Sequence, residues 1–385
     1  MNVVERGNTD TVSIWGMSYF AALGALFFSV QPVILGAIAE TLRFDEPSLG
    51  LVSSIGLFSS VLGLGSAYFW TAWVDRRVAI VFGLAVTTVA SSAFFMVEDF
   101  WAVILTSALL GFGGAFVYAP TLIALGQAPH PTKSFGIAVT VVVLVAGAVI
   151  FLVPTTLVPR WGLGGLAGIL CLAYGSGFLL VRQVPRGKAV AEAASCRDSR
   201  RSLAWLGLAG GAVFFIGANA SFAFFEVIGE TIGVDNAGVG TALAISLLCG
   251  AVGSAIAAVL GDRVSIARAM MVGVLGMLAY VSAMRLVGGV LGFYLGVIVF
   301  NVAWNFLLPY QMTVVAEVDD SGRYVALIPA AQMIGGAIGP AVAGGLLVSS
   351  GLDALYLLLV ATTVVASGLL MRANFLGVLR QQPNG

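Results

Sequence analysis

The sequence predicts an all-α integral membrane protein in which twelve transmembrane helices form two pseudo-symmetric six-helix halves, and three observations predict it. Of 385 residues, 59% are apolar and only 9% are charged, where a soluble domain carries about a quarter of its residues charged. Water therefore cannot be the main solvent, which excludes an ordinary soluble enzyme and a disordered scaffold. The apolar residues fall into twelve runs of bilayer-spanning length, and twelve spans of about 20 residues need roughly 240. A short motif also recurs about half a chain later.

The first run, 13 to 39, follows the acidic, polar MNVVERGNTD and is too long for a signal-peptide core, so it is expected to remain as span one. The break ETLRFDEPSLG leads into span two at 48 to 73, and Val74-Asp75-Arg76 into span three at 78 to 96. Span four covers 101 to 125. The Pro-flanked loop APHPTKS, which carries His130, precedes spans five (135 to 158) and six (162 to 181). A polar linker at 182 to 202 is followed by spans at 203 to 229, 237 to 260 and 269 to 287. Only Val287-Gly288-Gly289-Val290 separates the ninth span from the tenth at 289 to 315, and the last two are at 324 to 349 and 353 to 371.

Charge placement tests the count, because cytoplasmic loops are enriched in Lys and Arg. With the N-terminus in the cytoplasm, 15 basic residues fall inside and only Arg43, Arg160 and Arg285 outside. Both termini and the linker are then cytoplasmic, in a cell inner membrane. Six of the basic residues lie in the linker RQVPRGKAVAEAASCRDSRRS, which reads as a topology signal and tether, with a lipid-headgroup or regulatory site as the alternative.

The linker divides the chain into an N-terminal bundle (1–181), the linker itself (182–202) and a C-terminal bundle with a short tail (203–385). ETLRFDEPSLG at 40 to 50 matches ETIGVDNAGVG at 230 to 240 at Glu40/Glu230, Thr41/Thr231, Asp45/Asp235 and Gly50/Gly240. The Asp75-Arg76 pair has a counterpart in Asp262-Arg263, and AGAV at 146 to 149 one in GGAI at 335 to 338. Repeats that both start from the same side are related by an axis along the membrane normal.

The zero net charge offers no field for nucleic acid. His130 cannot build a metal centre alone, and Cys171, Cys196 and Cys249 have no pair spacing, so neither a metal, a cofactor nor a disulfide frame is expected. No HExxH, GxSxG or phosphate-binding GxxxxGK[ST] is present, so no catalytic residue is assigned and no enzyme activity is expected.

Two six-span halves, a basic central loop and Asp75-Arg76 between spans two and three resemble the major facilitator superfamily of secondary transporters over essentially the whole chain. Of that family's Gly-x-x-x-Asp-Arg-x-Gly-Arg-Arg loop, Asp75 and Arg76 fit, whereas Thr71 holds the Gly place. The resemblance implies that Asp75, Arg76 and their counterparts Asp262 and Arg263 latch the cytoplasmic ends of the halves. General form is nearest to the drug/proton antiporters of the family. Their span-four Arg would fall at Ser107, however, and their Gly-Pro signature lies in span eleven as GGAIGPAVAGG, where Gly339 and Pro340 could bend the helix. The glycines otherwise suit close helix packing.

In that family spans one, four, seven and ten line the central cavity, and here they hold 21 of the chain's 40 aromatic residues. Polar side chains in apolar spans tend to face a bundle interior or a watery cavity. Phe215, Asn219, Phe222 and Glu226 share one helical spacing in span seven, and Tyr294, Asn301, Trp304, Asn305 and Gln311 another in span ten. Gln31 stands next to Pro32 in span one, and Tyr118 next to Pro120 in span four. The competing reading of the amides is hydrogen bonding between helices. The substrate-binding candidates are Gln31, Tyr118, Asn219, Phe222, Asn301, Trp304, Asn305 and Gln311.

Glu226 is the candidate proton-coupling group, since a carboxylate alternating between open and closed cavities can carry a proton. It could instead hold a cationic substrate, or lie solvated or paired with Arg285. The expected function is secondary active transport of a small organic solute, aromatic or amphipathic, with protons as coupling ion, leaning to export by a monomer. An uptake symporter of the same fold and a transport-incompetent sensor or partner protein are the alternatives.

Overall fold

The computed structural model describes residues 14–188 and 197–381. The expected cytoplasmic N-terminal stretch 1–13, the mid-linker 189–196 with Cys196, and 382–385 lie outside the described residues. The described residues are almost wholly helical, with no strand among them.

The N-terminal half contains α1 (Ile14–Ser29), α2 (Gln31–Leu42), α3 (Glu46–Trp70), α4 (Arg76–Ala93), α5 (Phe100–Gly126), α6 (Pro131–Leu152) and α7 (Val158–Leu180). The C-terminal half contains α8 (Arg197–Ala223), α9 (Phe225–Ile232), α10 (Asn236–Leu260), α11 (Ile266–Ser282), α12 (Gly289–Val318) and α13 (Arg323–Gln381). α1 and α2 together make one span bent by 48°. Its break, at Val30 (φ −107°, ψ 11°), is repeated almost unchanged at Phe224 between α8 and α9 (φ −110°, ψ 13°). Pro32 stands two residues after the first break, and no proline stands near the second.

The 59 residues of α13 would run about 90 Å if straight, some three times a hydrocarbon core. Gly351 breaks the helix in the left-handed region at φ 72°. Before it, Gly335 and Gly339 lie on Ala212 and Ile216 of α8, so the two chains run parallel. After it, Leu359 and Thr362 meet Gly217 while Leu370 meets Gly210, so the direction has reversed. Gly162 (φ 53°) breaks the chain in the same way where span six begins, and Gly288 and Gly289 (φ 63° and 56°) close the short turn between spans nine and ten. Only glycine enters this backbone region without a Cβ penalty. α11 and α12 then form an antiparallel hairpin, with Gly276 against Ala303 and Gly273 against Leu307. Twelve helical crossings result among the described residues.

Polar breaks start the helices. Asp45 and Asp235, the matched aspartates of the repeat, have identical cap geometry (φ −71°, ψ 162°) and accept N–H bonds from Ser48 and Gly238. Asp75 and Asp99 cap α4 and α5, and Ser265 caps α11. Each satisfies a donor that hydrocarbon could not.

Two hydrophobic clusters form the core. One belongs wholly to the C-terminal half. The larger fills the N-terminal half and extends into the other through Leu203, Ala204, Leu208, Met312, Val315 and the start of α13 at Tyr324–Ala330. All of these lie toward the linker end of the molecule. The halves are therefore joined by packed apolar surface at that end.

Candidate functional site

The linker end is closed by contacts that cross the halves. Tyr68 of α3 meets Tyr324 edge to face at 5.6 Å, and the Arg323 guanidinium lies 5.7 Å from the Tyr68 ring centre. Thr313 of α12 donates to Thr132 (3.1 Å), and Thr140 of α6 bonds Ser254 of α10 (2.8 Å). His130 Nδ1 meets Asp262 Oδ2 at 2.8 Å. Gly136 lies so close to Ala258 that any Cβ would come within 2.7 Å of its backbone.

Asp319 holds the start of α13 in place. Its Oδ1 accepts from Ser321 and Gly322, and its Oδ2 accepts from the backbone N–H groups of Tyr324 (2.7 Å) and Val325 (2.8 Å). Burial pushes this carboxyl above the usual aspartate range, and the hydrogen bonds pull against that. The polar run DDSGR was the signal available in the sequence.

The expected latch residues act differently from one another. Asp75 caps α4 and accepts from Gly187 N–H (3.0 Å), and Arg77 donates to the carbonyls of Arg182 and Val184. Arg76, almost fully buried, donates to Gln127 Oε1 at 2.8 Å, an amide of its own half rather than an acid of the other. This triplet therefore ties the beginning of the linker to its own bundle. Arg263 is exposed. Asp262, through His130, is the member of the set that crosses. Gly339 presses against the Ile216 carbonyl, and Pro340 continues the helix there, so this segment is a close helix contact.

In the N-terminal half, Gln31 Nε2 donates to the Ser53 carbonyl of α3 (2.9 Å), which ties span one to span two. Tyr118 is buried, 5.7 Å from the Phe28 ring, with its backbone against Gly24. In the C-terminal half, Trp304 gathers four rings: Phe300 at 5.4 Å, Phe215 at 5.5 Å, Phe222 at 6.1 Å and Phe214 at 6.3 Å. All four are close to perpendicular to it, the edge-to-face arrangement that a ring quadrupole favours. Phe222 stays 45% exposed despite these contacts. The half-buried indole N–H of Trp304 has no protein acceptor among the described residues.

The amides divide. Asn301 Nδ2 donates to Ser246 of α10 (3.0 Å) and to the Val297 carbonyl, and Asn305 donates to the Asn301 carbonyl while lying over Gly250. Both therefore face α10 and join spans eight and ten. Asn219 donates to Phe215 and lies against Gly336. Gln311 is buried, and its Oε1 has no hydrogen-bond partner among the described residues. Tyr294 donates to the Gly238 carbonyl (2.9 Å).

Glu226 lies beyond the Phe224 break, exposed on the eight-residue α9, so the regular spacing that joined it to Asn219 is interrupted. Arg285 pairs with Asp353 and lies 5.3 Å from the Tyr356 ring, which leaves Glu226 without that partner. No cluster of three metal-binding side chains occurs among the described residues.

The family model of the Major Facilitator Superfamily matches residues 17–318. No curated protein matches the chain in sequence. Among solved structures it is similar to the transporter FucP in the outward conformation, with a TM-score of 0.76 and 12% identity over 97% of this chain and 99% of that one. A bacterial homologue of the iron transporter ferroportin in an outward-facing state gives 0.71 and 11% identity over 94% and 98%. The human organic anion transporter MFSD10 gives 0.71 and 15% over 93% and 98%. At such identities the likeness concerns the fold.

Proposed function

The chain belongs to the major facilitator superfamily, and from that premise we propose that it is a secondary active transporter moving a small organic solute with an aromatic or amphipathic body. The observation that carries this reading is the Trp304 cluster. A largely buried ring assembly, whose half-buried Trp304 keeps an indole donor without a protein acceptor among the described residues, lies on the spans that line a cavity in this fold, and Phe222 is left open at its edge. Such a surface recognises an apolar ring by contact and orients it with few polar groups.

The crossing contacts at the linker end support an outward-facing state, with that end in the cytoplasm of a cell inner membrane, as the skew of basic residues also suggests. Transport then consists of breaking those contacts while the opposite end closes. Protons are the proposed coupling ion and Glu226 the carrier: it is exposed at the open end and free of Arg285. Export by a monomer is the proposed direction and state.

The test is a thermal-shift screen of the purified chain against a solute library, followed by flux in proteoliposomes for each hit, since a ligand that binds only the folded state raises its melting temperature. Aromatic or amphipathic hits that are carried across support the reading. Hits that bind but are never carried make the chain a sensor instead.

A further inference from the structure

At the linker end a groove of about 810 Å³ runs along the seam between α6 and α10, the two helices that join the halves there. One end is basic. Lys133 and Arg263, one from each half, line it and reach no carboxylate within ion-pair distance among the described residues. The third basic group, His130, already faces Asp262. The wall that continues into the membrane is apolar, formed by Ile137 of α6 and by Ala255 and Val259 of α10, with Val259 75% exposed. Trp15 at the start of α1 flanks the groove and is also largely exposed.

Two unpaired cations at the end of an apolar wall, beside a tryptophan at the expected depth of a membrane interface, match the parts of an anionic phospholipid. A phosphate sits at the cations and acyl chains follow the wall. A soluble anion would satisfy the cations and leave the wall empty. A zwitterionic lipid would bring its own cation against Lys133 and Arg263.

We propose that this groove binds one anionic phospholipid, whose phosphate bridges Lys133 of one half to Arg263 of the other. The bound lipid spans the seam where Gly136 meets Ala258 and Thr140 meets Ser254, so it strengthens the closed linker end. Opening that end separates the two cations and weakens the site. Lipid and conformation are thereby coupled, because a ligand shifts an equilibrium by its differential affinity for the two states.

The test uses native mass spectrometry of the full chain in neutral detergent, with phosphatidylglycerol and phosphatidylcholine of the same acyl chains. One phosphatidylglycerol is expected to stay bound under activation that removes phosphatidylcholine. Lys133→Gln with Arg263→Gln should lower its bound fraction about tenfold or more, the weight of two basic groups at a lipid surface. Lys133→Arg with Arg263→Lys should retain it. Ala255→Trp, which fills the apolar wall and leaves the charges, should also lower it; if that variant does not fold, the exposed Lys133 and Arg263 positions carry the test. Glycerophosphoglycerol, which has no acyl chains, and inorganic phosphate should fail to displace the lipid. Parent-level binding by the neutral double variant, equal retention of phosphatidylcholine, or displacement by either soluble anion would overturn the proposal. Binding is read without flux, so the result is independent of what the chain transports.

Discussion

His130 and Asp262, 132 residues apart in sequence, meet across the boundary between the halves at 2.8 Å. They belong to two different loops, one before span five and one after span eight. The pair must break whenever the linker end opens, together with Thr313–Thr132 and Thr140–Ser254.

Removing one partner should therefore favour opening. The side chains are 69% and 44% exposed, so solvent screens the pair and about 0 to 1 kcal/mol is expected from it. In a Thr140→Cys background, Asp262→Ala should speed maleimide labelling of the half-buried thiol by up to about fivefold, the population change that such an energy allows. An unchanged rate would put the pair at the bottom of that range, and slower labelling would contradict a role in holding this end closed.

Trp304 is the proposed substrate anchor. Its replacement by Ala removes the ring around which Phe214, Phe215, Phe222 and Phe300 are arranged. Binding of a confirmed ligand should weaken by about 1 to 3 kcal/mol, as for other desolvated aromatic anchors, in a protein that still folds. Isothermal titration decides it, and an unaltered dissociation constant removes this cluster from the site.

Glu226→Gln keeps the shape of the side chain and removes its proton chemistry. In proteoliposomes the variant should lose proton-driven accumulation and keep substrate exchange across the membrane, because exchange requires no net proton release. Accumulation equal to that of the parent would show that the proton is carried elsewhere.

Asp319 secures the turn between spans ten and eleven by bonds to the N–H groups of Ser321, Gly322, Tyr324 and Val325. Asp319→Ala leaves those donors buried and unpaired, so the loss should exceed the ordinary cap cost of about 0.5 to 2 kcal/mol. Asp319→Asn should recover part of it. Melting temperatures of the two variants test the order; an Asp319→Ala protein as stable as the parent would contradict it.

Topology is testable at exposed positions on opposite ends. Single cysteines replacing Arg186 and Glu46 should be labelled from opposite sides of the membrane, Arg186→Cys from the cytoplasm. Labelling of both from one side would mean that the helix count between them is wrong.

Much of the architecture was legible in the chain because lipid imposes one simple demand, twenty or so apolar residues per crossing with every backbone group paired inside the helix. Composition, the twelve runs and the repeated Asp45/Asp235 break therefore carried the fold, and the two aspartates do cap equivalent helices. Even the shortest break was readable, since Gly288 and Gly289 supply the positive φ that a tight reversal needs. Which side chain meets which was not. Asn301 and Asn305 have the same spacing whether they face a cavity or α10, and only packing against Ser246 and Gly250 decides between the two. The break at Phe224, with no proline beside it, interrupts the regular spacing that would carry Asn219 on to Glu226 in an unbroken helix. His130 reads as an isolated loop histidine until the folded halves bring Asp262 to it. Local sequence determines how each segment enters and leaves the membrane, whereas contacts between distant segments depend on helix rotation and tilt, which a sequence period of 3.6 residues leaves open and the tertiary packing closes.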